Sequence, residues 1–341
     1  MRRLVSLLLV LVMLVGAGAT LFAAGQQEDG ELVVGLSLPT QREERWVRDR
    51  ETMEAYAEEL GLDLRVQVAD ADTAQQIGQV ENLFAQGIDV LILAPHDASA
   101  AATLVDAAEE EGIPVISYDR LITDTPNVDV YISFDNVKVG ELQGEFFVNN
   151  VPDGSNIIIM AGASTDNNAT LFKQGAMTFI GPKVDSGAYN VIAEQSVDNW
   201  LPENALAIVE NALTVAGNDV QGILAPNDGT AGGAIVALEA QGLAGDVIVT
   251  GQDAALAAAK RIAVEGTQQM TIFKDTRELG REAIDTAIRL AEGEELPING
   301  AVDNGVIDVP SILLTPFVVT EDNLDELLIE SGYLSRDEVY N

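Results

Sequence analysis

The chain has no cysteine and a single histidine, His96, among its 341 residues. Without cysteine there is no disulfide framework, no thiol nucleophile and no thiolate metal site. One histidine removes most of what remains of zinc chemistry. Lysine is also scarce, at five residues, and basic residues total 18 against 55 acidic ones. A surface of that sign repels nucleic acid and anionic lipid, so neither is expected as a partner. Acid-rich, lysine-poor surfaces suit a salty exterior, where counterions screen self-repulsion. The melting temperature is therefore expected to rise between low and molar salt, and a flat response would remove the halophilic reading.

Long apolar runs are confined to the first 25 residues. Arg2 and Arg3, an apolar stretch and then small residues around Ala23 to Gly25 have the order of a secretory signal peptide. Residues 1–25 are read as that leader, and its two arginines take the net charge from −37 to −39 on removal. The alternative, a single membrane anchor, is disfavoured by the Gly/Ala break and the polar "GQQEDG" that follows. A later segment would need ~20 apolar residues to span a bilayer, and none comes close. The mature chain is expected to be soluble and periplasmic or otherwise extracytoplasmic.

The sequence also has an apolar fraction of 47%, ample for two cores. Val/Ile-rich runs lie at 32–39, 62–68, 89–95, 113–119, 128–135, 156–162, 189–197, 220–226, 246–253 and 269–275. They do not alternate with polar residues, as expected of strands covered on both faces of a parallel sheet. Helical stretches separate them. One starts at Pro202 and stops at Gly217, with Leu206, Val209 and Leu213 on its stripe. Another carries Met53, Tyr56, Ala57 and Leu60 and stops at Gly61. The expected fold is α/β, with two similar doubly wound, Rossmann-like lobes. The chain writes one corner twice, "ILAPHD" at 92–97 and "ILAPND" at 223–228. Each copy is followed by a helix, a strand and an aspartate, Asp119 and Asp253.

Ligands of open α/β sheets bind beyond the carboxyl ends of the strands, and there the polar residues gather. "REERW" follows the first strand, "YDR" the fourth and "TDNNA" the sixth. "VDNW", "PND", "GQD" and "FK" follow later ones. Carboxylates, amides and guanidinium groups engage adjacent hydroxyls in pairs, and indole faces pack on the C–H face of a sugar ring. That inventory fits a neutral polyol or sugar. Asp and Asn also serve as helix caps and turn residues, so each residue singly has a structural reading as well. Glycines in "GTAGGA" meet neither phosphate-loop pattern and read as close helix packing. His96 has no nucleophile or acid partner and reads as a turn residue. Neither catalytic residues nor a cofactor are expected.

The chain resembles the periplasmic sugar-binding proteins of ABC importers, and within them the xylose-binding members. The likeness rests on "ERWVRDR", "YDRLI", "YISFDNVKVGELQ", "VDNWLPENAL", "NDGTAGGAI", "GQDA", "KRIA" and "DVPSILLTP". It implies a type I periplasmic binding protein fold. One lobe would span 31–134 with about 276–309, the other about 136–273 with 310–341. The hinge would have three segments, near 134–136, 273–276 and 309–311. Carried over by motif, the sugar-contacting residues are Arg45, Trp46, Asp119 and Arg120, then Asp166, Asn168 and Trp200, then Asn227, Asp253 and Lys274. Trp46, seven residues before Met53, also continues an apolar stripe and could be core. Thr165, Gly229 and Phe273 depart from the family pattern, the last two with a possible effect on the pocket outline. The implied partners are a monosaccharide, D-xylose first, a membrane permease and, as a further candidate, a chemoreceptor; a monomer is expected. Ribose, arabinose or glucose are alternative sugars. A repressor's sugar-sensing domain and a sugar-processing enzyme are the alternative classes.

Overall fold

Two sheets and a two-stranded ribbon take up the Val/Ile-rich runs in the computed structural model, which describes residues 32–341. The leader assigned to residues 1–25 lies outside the described residues. The first sheet uses β1 (Val33–Leu38), β2 (Asp63–Val68), β3 (Val90–Leu93), β4 (Val115–Tyr118) and β5 (Val130–Phe134). Late in the chain β11 (Gly300–Asp303) and β12 (Asp308–Leu314) join it, in the order β11-β12-β5-β4-β3-β1-β2. Only β11 runs antiparallel to its neighbour. The second sheet comprises β6 (Ser155–Ala161), β7 (Tyr189–Ser196), β8 (Gly222–Leu224) and β9 (Ile248–Val249), all parallel, in the order β7-β6-β8-β9. Beside it, β10 (Thr271–Phe273) pairs antiparallel with β13 (Phe317–Val319).

Burial follows position in the sheet. Central β3, β4 and β5 are buried throughout, which is why their sequences are continuously apolar. Edge strand β2 is half-exposed along its length and accommodates Arg65 and Gln67. All ten apolar runs contain a strand. Helices α1 (Glu44–Leu60), α2 (Thr73–Ala85) and α3 (Ala102–Glu111) accompany the first sheet. Those of the second are α4 (Asn136–Asn150), α5 (Asn167–Asp185), α6 (Pro202–Ala216), α7 (Asp228–Ala240) and the short α8 (Leu256–Lys260). Helix α9 (Thr276–Glu292) returns to pack on α1, and α10 (Arg336–Tyr340) closes the chain.

Helix α1 departs from the expected stripe. Its buried residues are Arg45, Trp46, Asp49, Met53 and Ala57, whereas Leu60 in the last turn is 43% exposed. Tyr56 is half-buried because it reaches α9, where its hydroxyl donates to Asp285 at 2.9 Å. Gly233 bears out the packing reading of "GTAGGA": a Cβ there would lie 2.1 Å from the Pro202 carbonyl oxygen at the start of α6.

The chain passes between the sheets after β5, after β10 and after β12. The third passage differs from the expected 309–311. Strand β12 stays in register with β5 from Ser311 opposite Tyr131 to Leu314 opposite Phe134. Residues 310–314 therefore belong with the first sheet, and the crossing falls at Thr315 and Pro316, just before β13.

Candidate functional site

All ten residues singled out from the sequence line one pocket. They reach it from corners beyond the carboxyl ends of strands in both sheets and of β10, plus the first turn of α1. About 340 Å³ of space free of protein atoms, open solvent included, lies among these side chains. Trp46, at 2% exposure, is both core and wall. The guanidinium groups of Arg45 and Arg120 lie 4.4 and 5.3 Å from its ring centre.

Left-handed backbone at non-glycine residues concentrates here. Asp119, Asn199, Trp200, Asp253 and Ala254 all have positive φ, each at a cost of order 1–3 kcal/mol that neighbouring contacts must offset. At Asp119 the restraint is visible. Its carbonyl accepts from Tyr131 Oη and Ser133 Oγ, both at 2.8 Å, and from Asn168 Nδ2 at 2.9 Å. Two other side chains divide their atoms between capping and the pocket. Asp166 caps α5 through Oδ1, accepting from the Asn168 amide at 3.0 Å, while Oδ2 faces Arg120 Nε at 2.9 Å. Asn227 caps α7 through Oδ1, which accepts from the Thr230 amide and hydroxyl at 2.9 and 2.8 Å. Its Nδ2 donors remain for the cavity. Both residues thus have the capping role that their types favour, and both also line the pocket.

Every cation in the wall has a carboxylate partner. Arg45 Nη1 donates to Asp119 at 2.6 Å and Arg45 Nε to Asp49 at 3.2 Å. Lys274 Nζ lies 2.9 Å from Asp253 Oδ1, an ion pair without hydrogen-bond alignment. Burial pushes the Asp253 carboxyl up, but Lys274, Arg45 and Arg120 outweigh it and hold the group below the usual carboxylate range. The Arg45 guanidinium is disfavoured by burial, yet Asp119, Asp49 and Asp253 raise its pKa well above the ordinary value. The wall is thus dense in charge but internally compensated, an arrangement suited to an uncharged polar ligand.

Four participants escaped sequence reasoning. Glu43, Phe172 and Gln252 also line the pocket, although "REERW" and "GQD" had drawn attention to the stretches holding two of them. Asp49, wholly buried, stands behind Arg45 and accepts from the Tyr118 hydroxyl. Burial dominates its titration; Arg45 opposes that effect and Asp119 adds to it, leaving its pKa at about 6. Four wall atoms, Glu43 Oε2, Trp200 Nε1, Gln252 Oε1 and, despite its ion pair, Asp253 Oδ1, are buried and have no hydrogen-bond partner among the described residues. The Trp200 ring is fixed against Gly162, where a Cβ would fall 2.0 Å from its edge. Thr165, Gly229 and Phe273 do not line the pocket. Phe273 instead packs edge-on against Tyr333 at 4.7 Å, so the expected effect on the outline is not found. His96 stays outside too; its amide donates to Gln76 Oε1 at 2.8 Å.

A model of the periplasmic binding protein domain matches residues 34–295, and the chain belongs to that family. It is 45% identical over 309 residues to the D-xylose-binding periplasmic protein of Escherichia coli K12, covering 91% of this chain and 93% of that one. Identity to the Haemophilus influenzae protein of the same description is 43%, across 97% and 98% of the two chains. Among solved structures, a carbohydrate transporter solute binding protein from Chloroflexus aurantiacus, in complex with D-glucose, superposes with a TM-score of 0.85. It is 36% identical, with 91% of this chain and 98% of that one covered. All three are described as binding proteins and none as an enzyme.

Proposed function

We propose that this chain is the extracytoplasmic substrate-binding component of a sugar ABC importer and takes a single monosaccharide, D-xylose first, between its two lobes. The observation that carries the reading is the compensated polar wall around one cavity, four of whose residues, Glu43, Trp200, Gln252 and Asp253, each keep a buried side-chain atom without a hydrogen-bond partner among the described residues. Buried polar groups are nearly always satisfied, so a ligand rich in hydroxyls is the natural partner. The xylose-binding relatives favour a pentose; the D-glucose complex keeps hexoses in the comparison.

The mechanism is binding with closure about the three crossings. Both rims contact the sugar only when the cleft is shut, so the ligand draws an open–closed equilibrium to the closed side. The closed form then presents its surface to a membrane permease, with a chemoreceptor as a second candidate, and acts as a monomer.

Calorimetric titration with aldopentoses and hexoses tests this. D-xylose is expected to bind most tightly; no heat with D-xylose and micromolar binding of another sugar would replace the substrate. Asn227→Asp preserves the cap oxygen but turns the pocket-facing donor into an acceptor. It is expected to raise the Kd roughly 10-fold or more with little change in apo melting. Asn227→Ala is a poorer probe, because cap loss alone costs ~1 kcal/mol of stability.

A further inference from the structure

Glu43 is the residue immediately before α1, the N-cap position, which Asp and Asn favour and the longer Glu does not. It makes no side-chain cap bond. Asp166 and Asn227, at the equivalent positions of α5 and α7, both do. The Glu43 carboxylate is turned elsewhere. Its Oε1 accepts from Arg42 Nε and Nη2 at 3.2 and 3.1 Å. Its Oε2 is buried in the pocket wall without a partner. Arg42 Nη2 also donates to the Asn199 carbonyl at 2.7 Å. Asn199 and Trp200 are the two consecutive left-handed residues that follow β7, in the other lobe. The strained turn therefore does two things: it presents a carbonyl to Arg42 and places the Trp200 indole in the pocket.

We propose that Glu43 is a further ligand-contacting residue, accepting a sugar hydroxyl on Oε2, and that Arg42 relays this contact to the opposite lobe through the Asn199 carbonyl. The inference rests on the monosaccharide reading above and deepens it. One carboxylate then serves both recognition and closure. A hydroxyl on Oε2 fixes the Glu43 side chain, and with it the guanidinium that bridges the cleft. The contact also discriminates, because an ionised carboxylate can only accept and must meet a hydroxyl that donates. A sugar lacking that hydroxyl leaves the oxygen buried and unpaired.

The test is calorimetry of the full chain with D-xylose and with its singly deoxygenated analogues, on wild type, E43Q, R42A and the double variant. E43Q is expected to raise the D-xylose Kd roughly 10–100-fold, as for loss of a hydrogen bond to a charged group. R42A, which breaks a partly exposed bridge, is expected to raise it up to about fivefold. The double variant should fall short of the product of the two. For the analogue missing the hydroxyl that Glu43 reads, wild type and E43Q should bind alike. If wild type binds D-xylose and E43Q binds every sugar of the set equally well, the relay is refuted while the functional reading stands. If wild type binds none of the sugars, the functional reading itself fails. Apo melting should be unchanged in E43Q; a drop matching the loss of affinity would make Glu43 structural and overturn the proposal.

Discussion

Arg45→Met is expected to lower the unfolding free energy of the ligand-free protein by about 3–5 kcal/mol, the usual cost of removing one member of a buried ion pair, and to abolish measurable D-xylose binding. Arg45 is 6% exposed and sits between two carboxylates, Asp49 and Asp119, at 0% and 3%. Methionine fills the aliphatic part of its volume but leaves those two acids facing each other in a low-dielectric interior. The Tyr118 hydroxyl on Asp49 cannot replace a full positive charge. Asp49 already titrates at about 6 with the guanidinium present, burial being the dominant cause; without Arg45 it must rise further. A raised carboxyl pKa stabilises the fold below the unfolded value and ceases to do so as pH climbs through the folded one. The destabilisation should therefore be smaller at pH 5 than at pH 8. Urea unfolding at the two pH values measures this, and an Arg45→Met protein as stable as wild type at pH 8 would show that the pair network contributes little.

The same network shows what a sequence can and cannot disclose. Strand-end polar residues were legible because nothing in strand or helix packing asks for "YDR", "TDNNA" and "GQD" at such regular places. The two "ILAP" corners separate on inspection of their caps. In the second, Asn227 caps α7 directly. In the first, the helix starts only at Ala102 without a side-chain cap, and Asp97 accepts from the amides of Ser99 and Ala100 in the intervening turn. Asp49 was illegible for a different reason. Four residues after Arg45 in "ERWVRDR", it has the spacing of an ordinary surface pair on a solvated helix face, and only tertiary packing turns that face inward. The late strands were missed because Pro310 interrupts the apolar pattern of β12 and usually marks an edge or no strand at all. β13 has only three residues. The third crossing, placed by the family likeness near 309–311, falls later because β12 runs on through Pro310 to Leu314.

The second large effect concerns Asp228, the residue after the cap of α7. It is 2% exposed and, unlike Asp119, Asp166 and Asp253, has no cation paired with its carboxylate among the described residues. Its Oδ1 accepts from Gln268 Nε2 at 2.8 Å, and its Oδ2 accepts from the Ala255 amide at 2.9 Å and the Thr271 hydroxyl at 3.0 Å. Arg261 stops at the Asp228 backbone carbonyl, 2.8 Å away. Burial raises the carboxyl pKa, Arg261 opposes it and Asp253 adds to it, leaving the group at about 7. The folded protein thus holds a proton that the unfolded chain has lost above about pH 4. Stability is gained below that value and lost as pH rises through about 7, a swing on the order of 3–4 kcal/mol. Asp49 acts in the same direction over a narrower window. Unfolding free energy is therefore expected to fall from pH 5 to pH 8, and Asp228→Asn, which cannot ionise, to flatten most of that fall. Equal slopes in the two proteins would place the proton elsewhere. The consequence reaches the pocket, because the Ala255 amide that Asp228 holds closes the strained turn at Asp253 and Ala254. Ionising Asp228 adds negative charge beside Asp253 in the same buried region, so affinity for the sugar should weaken in wild type across the pH range where stability falls, and not in Asp228→Asn.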